Sequence, residues 1–104
     1  MPRAAATIVR RVRTLVAARR VRFTLKALRE LAALGLDALD ACDALAGLRT
    51  TDLVATLKST VTGEWMHVFK PSFAGIDVYV KLIVRAECVI VSFHEDEVGD
   101  EEDH

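Results

Sequence analysis

Residues 78–94 constrain the fold more than any other part of this chain. Val78, Val80, Leu82 and Val84 alternate with Tyr79, Lys81, Ile83 and Arg85. After Ala86-Glu87 the alternation resumes, with Val89, Val91 and Phe93 set against Cys88, Ile90, Ser92 and His94. Strict period two marks a half-buried strand, and two such runs joined by two residues read as a β-hairpin. With Ala86-Glu87 as the turn, the expected pairs are Arg85–Cys88, Ile83–Ile90, Lys81–Ser92 and Tyr79–His94. Val78, Val80, Leu82, Val84, Val89, Val91 and Phe93 then bury together, and their alternates turn to solvent. A one-residue slip would bury Lys81 and His94 without partners, so the register is expected to be firmly set.

The first half of the chain has a different period. Ile8, Val9, Val12, Leu15 and Val16 recur at helical spacing, which predicts an amphipathic helix over 6–19. Thr24 is placed to N-cap a second helix that packs through Leu25, Leu28 and Leu31 or Ala32 and stops at Gly35. Asp37 caps a third, with Leu39, Cys42, Leu45 and Ala46 inward and Gly47 at its end. Residues 53–60 are ambiguous and are read as strand from about 56. The Thr62-Gly63 turn leads to Trp65–Lys70, a short strand ended by Pro71, which cannot donate to a ladder. Residues 72–75 read as a loop before the hairpin. Helices first and strands second indicate an α+β fold, with the N-terminal helices on one face of a small, mostly antiparallel sheet. Residues 1–94 are read as one domain and 95–104 as an acidic, disordered tail.

A chain of 104 residues, 52% of them hydrophobic, can bury a core without disulfides or metals. Cys42 and Cys88 sit inside apolar segments with no CxxC spacing and read as reduced packing residues. Nothing opens the chain as a signal peptide does, and the apolar runs fall far short of a membrane span, so the expected compartment is the cytoplasm, with no membrane partner. The net charge of −1 hides an asymmetry: residues 1–30 hold nine Arg or Lys against Glu30, and residues 95–103 hold seven acids and no base. A basic end suggests a polyanionic partner such as RNA, although Arg-rich helix surfaces are common.

Enzyme signatures built on glycine-rich phosphate loops, HExxH or zinc spacings, and serine elbows are absent. His67, His94 and His104 are far apart, so no metal and no cofactor is expected. His67 shares its face with Trp65 and Phe69 and reads as a core histidine. What remains is the exposed face of the hairpin. Cross-strand neighbours have Cβ atoms roughly 5 Å apart, so Tyr79, Lys81, Ser92 and His94 would form one polar patch, near Arg85. Lys70, on the outer side of its strand, could join it, and Lys58 is a candidate whose direction the sequence leaves open. The set suits metal-free RNA cleavage. Imidazole, with a reference pKa of about 6.5, can give or take a proton, ammonium and guanidinium groups stabilise phosphorane charge, and a tyrosine can stack on a base. The same residues also fit the wet side of an ordinary sheet.

VRFTLKAL, LGLDALDACDALAGL, TTDLVATLK, W-x-x-V-F-K-P, VYVKLIV and VIVSF, in this order and spacing, resemble the MqsR family of bacterial toxins within the RelE-like ribonucleases. The similarity spans roughly residues 8–95. It implies an mRNA endoribonuclease of a type II toxin–antitoxin pair, cutting without metal through 2′-hydroxyl attack and inhibited by a cognate antitoxin of the zinc-finger and helix-turn-helix type. Carried over, the family's active tyrosine falls on Tyr79, the lysine two residues on falls on Lys81, and the basic residue after the last Ser-Phe falls on His94. Lys70, Arg85, Ser92 and Lys58 are the candidate RNA contacts. The family's lysine falls on Ala55 and its glutamine on Met66. Those departures leave open a second reading, a catalytically weakened or dead regulator that binds RNA or antitoxin on the same fold.

Overall fold

The computed structural model describes residues 2–96. Helices α1 (Pro2–Ala17), α2 (Leu25–Ala33) and α3 (Ala38–Ala46) occupy the first half of the chain, with a short strand β1 (Val21–Phe23) between the first two. The second half supplies β2 (Leu53–Lys58), β3 (Trp65–Phe69), β4 (Ser72–Phe73), β5 (Ile76–Val84) and β6 (Cys88–Glu95). The main sheet has the order β1-β6-β5-β3-β2, with β4 paired to β5 beside it. Every pairing is antiparallel except β1 with β6. The expected α+β architecture is therefore the observed one.

Local chemistry accounts for the helix boundaries. Thr24 Oγ1 accepts from the Ala27 N–H and caps α2. Asp37 and Asp40 exchange side chain-to-backbone bonds at the start of α3, a reciprocal cap that satisfies two otherwise orphaned N–H groups. Helix α1 begins earlier and ends sooner than its apolar spacing suggests. Arg19 adopts φ +60°, and the Arg20 N–H closes back on the Leu15 carbonyl. Residues 72–75, read as a loop, contain β4 and a tight turn. Ala74 and Gly75 both have positive φ, which matches the two-residue hairpin turn that joins Phe73 to its partner Ile76.

One core holds the layers together. Val9, Val12, Leu15 and Val16 of α1, Ala27 and Leu31 of α2, and Ala41, Ala44 and Leu45 of α3 pack on Phe69, Val78, Val80, Leu82, Cys88, Ile90 and Phe93. The helices thus cover one face of the sheet, and among the described residues no helix lies on the other face. Helix α2 also flanks the edge of β6 beyond the end of β1. The Thr24 N–H donates to the Ile90 carbonyl, Thr24 Oγ1 donates to the Val91 carbonyl, and the Phe93 N–H donates to Glu30 Oε1. Glu30 and Thr24 thereby occupy groups that an edge strand would otherwise leave open.

The hairpin departs from its expected course in two places. The turn has three residues, Arg85 to Glu87, so Val84 faces Cys88, Ile83 faces Val89 and Leu82 faces Ile90. Cys88 and Ile90, expected outside, are fully buried, while Val89 and Val91, expected inside, are only half-buried. A β-bulge then intervenes: Leu82 pairs with Ile90 and the adjacent Lys81 with Ser92, leaving Val91 as the extra residue. The longer turn shifts the register by one and the bulge shifts it back. Beyond the bulge the expected pairs Lys81–Ser92 and Tyr79–His94 are both present.

The thiols are free, and burial pushes Cys88 up to about 12, so it stays protonated and packs as an apolar residue. Strand β6 continues through Glu95, and the Asp96 N–H donates to the Asp77 carbonyl. The remainder of the expected acidic tail, 97–104, lies outside the described residues, as does His104.

Candidate active site

The helix-free face of the sheet is assembled by parity. Cross-strand partners share a face, so Ala55 of β2, Val68 of β3, Lys81 of β5 and Ser92 of β6 form one row. The next row carries Tyr79 and His94. Lys70 follows Phe69, whose partner is Val80, so it stands across from Tyr79 on the other side. Tyr79, Lys81, Ser92, His94 and Lys70 are thereby brought onto one patch.

Tyr79 and His94 are stacked, with ring centroids 4.8 Å apart and planes 9° from parallel. The His94 Nδ1 lies 2.8 Å from the Glu95 carbonyl oxygen. A carbonyl only accepts, so Nδ1 carries a proton and Nε2 holds the free lone pair of the neutral ring. Stacking on one side and this hydrogen bond on another fix the imidazole and aim its chemistry through Nε2. Ser92 is 3% exposed, unusual for a polar residue on an uncovered face, and its Oγ accepts from Lys26 Nζ at 2.7 Å. Lys70 Nζ lies 3.4 Å from Asp96 Oδ1. Asp77 belongs to the same face, two residues before Tyr79, and its Oδ1 accepts from the Ser72 hydroxyl.

Two candidates from the sequence lie elsewhere. Lys58 is three residues from Ala55, and that odd spacing turns it to the opposite face. There it pairs with Trp65 and sits over the indole at 5.6 Å, in line with Thr56, His67 and the core residue Leu82. Arg85 is six residues from Tyr79, about 20 Å along an extended strand. It is at the hairpin tip, where its guanidinium forks onto the Glu64 carboxylate and holds that carboxyl below its ordinary range. His67 is half-buried and bonded to Thr56 Oγ1, and burial lowers its pKa, in keeping with a packed histidine.

The sequence reading missed Lys26 and Glu30. Lys26 Nζ also donates to Glu30 Oε2 at 2.9 Å, so Glu30 is held by Lys26 through one oxygen and by the Phe93 N–H through the other. Burial alone would raise its carboxyl. The Lys26 hydrogen bond, the Phe93 N–H and the charges of Lys26 and His94 together outweigh burial and leave it below its ordinary value. The i,i+4 spacing of Lys26 and Glu30 was visible, but only the docking of α2 beside β6 brings them to the patch. A stability consequence follows. Because the folded-state pKa is depressed, Glu30 stabilises the fold above its unfolded value near 4.5, and that contribution fades as pH falls through the lower folded value. Urea midpoints of the wild type and Glu30→Gln should differ by a constant amount from pH 7 to about 5 and converge below it. A gap that widens on acidification would reverse the sign.

Comparison with known proteins bears on what this patch belongs to. Residues 5–95 match the family described as motility quorum-sensing regulator, toxin of MqsA. The chain belongs to this family. A curated relative, the mRNA interferase toxin MqsR of Escherichia coli (strain K12), is 33% identical over 90 residues, covering 86% of this chain and 92% of that protein. An antitoxin partner goes with membership in the family. The matched span contains both α2 and the hairpin, so the whole patch lies inside the family's domain. Among the described residues no group of three or more His, Cys, Asp or Glu is arranged to hold a metal ion.

Proposed function

We propose that this chain is the toxin of a toxin–antitoxin pair and acts as an mRNA interferase, an endoribonuclease that cuts single-stranded mRNA in the cytoplasm. Family membership and the relative's activity support the class. The observation that carries the mechanism is the stacked Tyr79–His94 pair beside Lys81 on the helix-free face. His94 Nε2 takes the proton from a ribose 2′-hydroxyl, whose oxygen attacks the adjacent phosphorus. The P–O5′ bond breaks, leaving a 2′,3′-cyclic phosphate on one fragment and, once that oxygen has taken a proton from solvent water, a 5′-hydroxyl on the other. Lys81 and Lys70 face the phosphate and offset the charge that builds on it. Tyr79 holds the imidazole plane and offers its hydroxyl to the substrate. The partner is a cognate antitoxin of the zinc-finger and helix-turn-helix type that covers this domain.

The mechanism has a direct test. Purified protein incubated with single-stranded RNA in EDTA should cut it and leave 2′,3′-cyclic phosphate ends, because every group assigned a role is organic. A strict requirement for added Mg²⁺ or Mn²⁺ would overturn it.

A second reading, a weakened enzyme or a regulator that binds without cutting, draws on the β2–β3 side of the same face. Ala55, Leu57, Met66, Val68 and Ile83 make that half apolar. The two readings part on the EDTA experiment, since a binding-only regulator gives no cyclic ends.

A further inference from the structure

Besides Lys81 and Lys70, the outer face holds a third ammonium, one that comes from outside the sheet. Lys26 is on α2, yet its Nζ lies 2.7 Å from Ser92 Oγ. Ser92 is the direct cross-strand partner of Lys81, and such partners have Cβ atoms roughly 5 Å apart. Lys26 therefore reaches the patch from the β6 edge, and Lys81 rises from within it, on either side of the Ser92 hydroxyl. The Lys26 side chain is 61% exposed, and two of its three N–H groups are committed to Ser92 and Glu30. The other nearby cations are ion-paired as well. Lys70 is paired with the nearly buried Asp96, and Arg22, on the outer side of β1, is paired with Glu87.

A surface Lys–Glu pair at i,i+4 ordinarily contributes little and swings freely in solvent. This one is built differently. Glu30 is itself pinned by the backbone N–H of Phe93, the residue between Ser92 and His94. The chain Phe93 N–H to Glu30, Glu30 to Lys26 and Lys26 to Ser92 closes back on the strand that carries His94. It fixes the position of one ammonium relative to the imidazole and costs little reorganisation when an anion arrives.

From this geometry we infer that Lys26 is an RNA-contacting residue of the site, binding a backbone phosphate jointly with Lys81 over the Ser92 hydroxyl, and that Glu30 is its positioning residue. The inference rests on the ribonuclease reading above. It extends the substrate track from the Tyr79–His94 pair toward α2, along the β6 edge and away from the apolar β2–β3 side. RNA then crosses the strands rather than following α1, whose core-facing residues Val9, Val12, Leu15 and Val16 lie on the far side of the sheet.

The test separates phosphate contact from helix docking. Affinity for an uncleavable 2′-O-methyl oligonucleotide is measured against salt concentration for the wild type, Lys26→Met and Lys26→Arg, alongside cleavage of the unmodified RNA. One lost phosphate contact lowers the slope of log affinity against log salt by about 0.7 on a single strand. Lys26→Met should show that reduction, with at least about a tenfold loss in kcat/KM for cleavage, and Lys26→Arg should keep the wild-type slope. An unchanged slope in Lys26→Met overturns the inference even if cleavage falls, because Lys26 would then only hold α2 against β6. Wild-type protein that shows no salt-dependent binding overturns it as well. Failure of the wild type to cut the unmodified RNA counts instead against the ribonuclease reading, and the slopes still decide the role of Lys26.

Discussion

Replacing His94 with glutamine should lower RNA cleavage by about 10²–10⁴-fold, the usual contribution of a positioned acid–base group, and leave the fold in place. Glutamine keeps polarity and similar reach but cannot exchange a proton at the position that Nε2 occupies. The imidazole is half-buried on the uncovered face, stacked on Tyr79 and, among the described residues, bonded only to the neighbouring Glu95 carbonyl, so no core contact is lost with it. Transcript end-mapping after induction, combined with a urea titration of the purified variant, reads both halves of the expectation. Cleavage within a few-fold of wild type would remove His94 from the chemistry. A collapse in the urea midpoint would mean that it serves the fold instead.

One residue earlier, the expectation inverts. Phe93 is fully buried, pairs across with Val80 and belongs to the single core cluster. Truncation to alanine removes a ring that the helices cannot collapse onto, so Phe93→Ala should cost about 3–5 kcal/mol. Small domains are commonly stable by only about 5–15 kcal/mol, so the variant should unfold at a much lower urea concentration. A loss below about 1 kcal/mol would place Phe93 on the outer face and shift every assignment on β6. Adjacent residues on one strand, one serving stability and one serving chemistry, are the measurable form of the parity argument.

Much of this arrangement was legible in the sequence wherever the signal is local. Thr24, Asp37 and Gly47 mark helix ends through bonds made within a few residues, and the structure uses all three. The alternation of Val78, Val80 and Leu82 with Tyr79 and Lys81 assigns the faces of β5, because side-chain direction in a strand follows from backbone geometry alone. Its pairing with Ser92 and His94 was also anticipated, although by a simpler route than the chain takes. Strand β1 was not anticipated, since three residues are too few to show a period and its one hydrogen-bonded partner, β6, lies more than sixty residues away. The sequence leaves the direction of Lys58 open because residues 53–60 show no clear period, and the Ala55 row settles it.

What the sequence determined by itself, then, was the order of elements, their caps and the alternation that makes one face of β5 polar. Tertiary structure decided the rest. Cys88 and Ile90 turn inward in place of Val89 and Val91 because the three-residue turn sets one register, and the bulge at Val91 restores the other before Ser92 and His94. Local pattern cannot choose between two apolar sets on the same strand. Their burial depends on which backbone groups find partners in β5, β1 and α2. Lys26 and Glu30 reach the site for the same reason: α2 docks where β1 ends, and the Phe93 N–H left open there is satisfied by a carboxylate from a distant part of the chain.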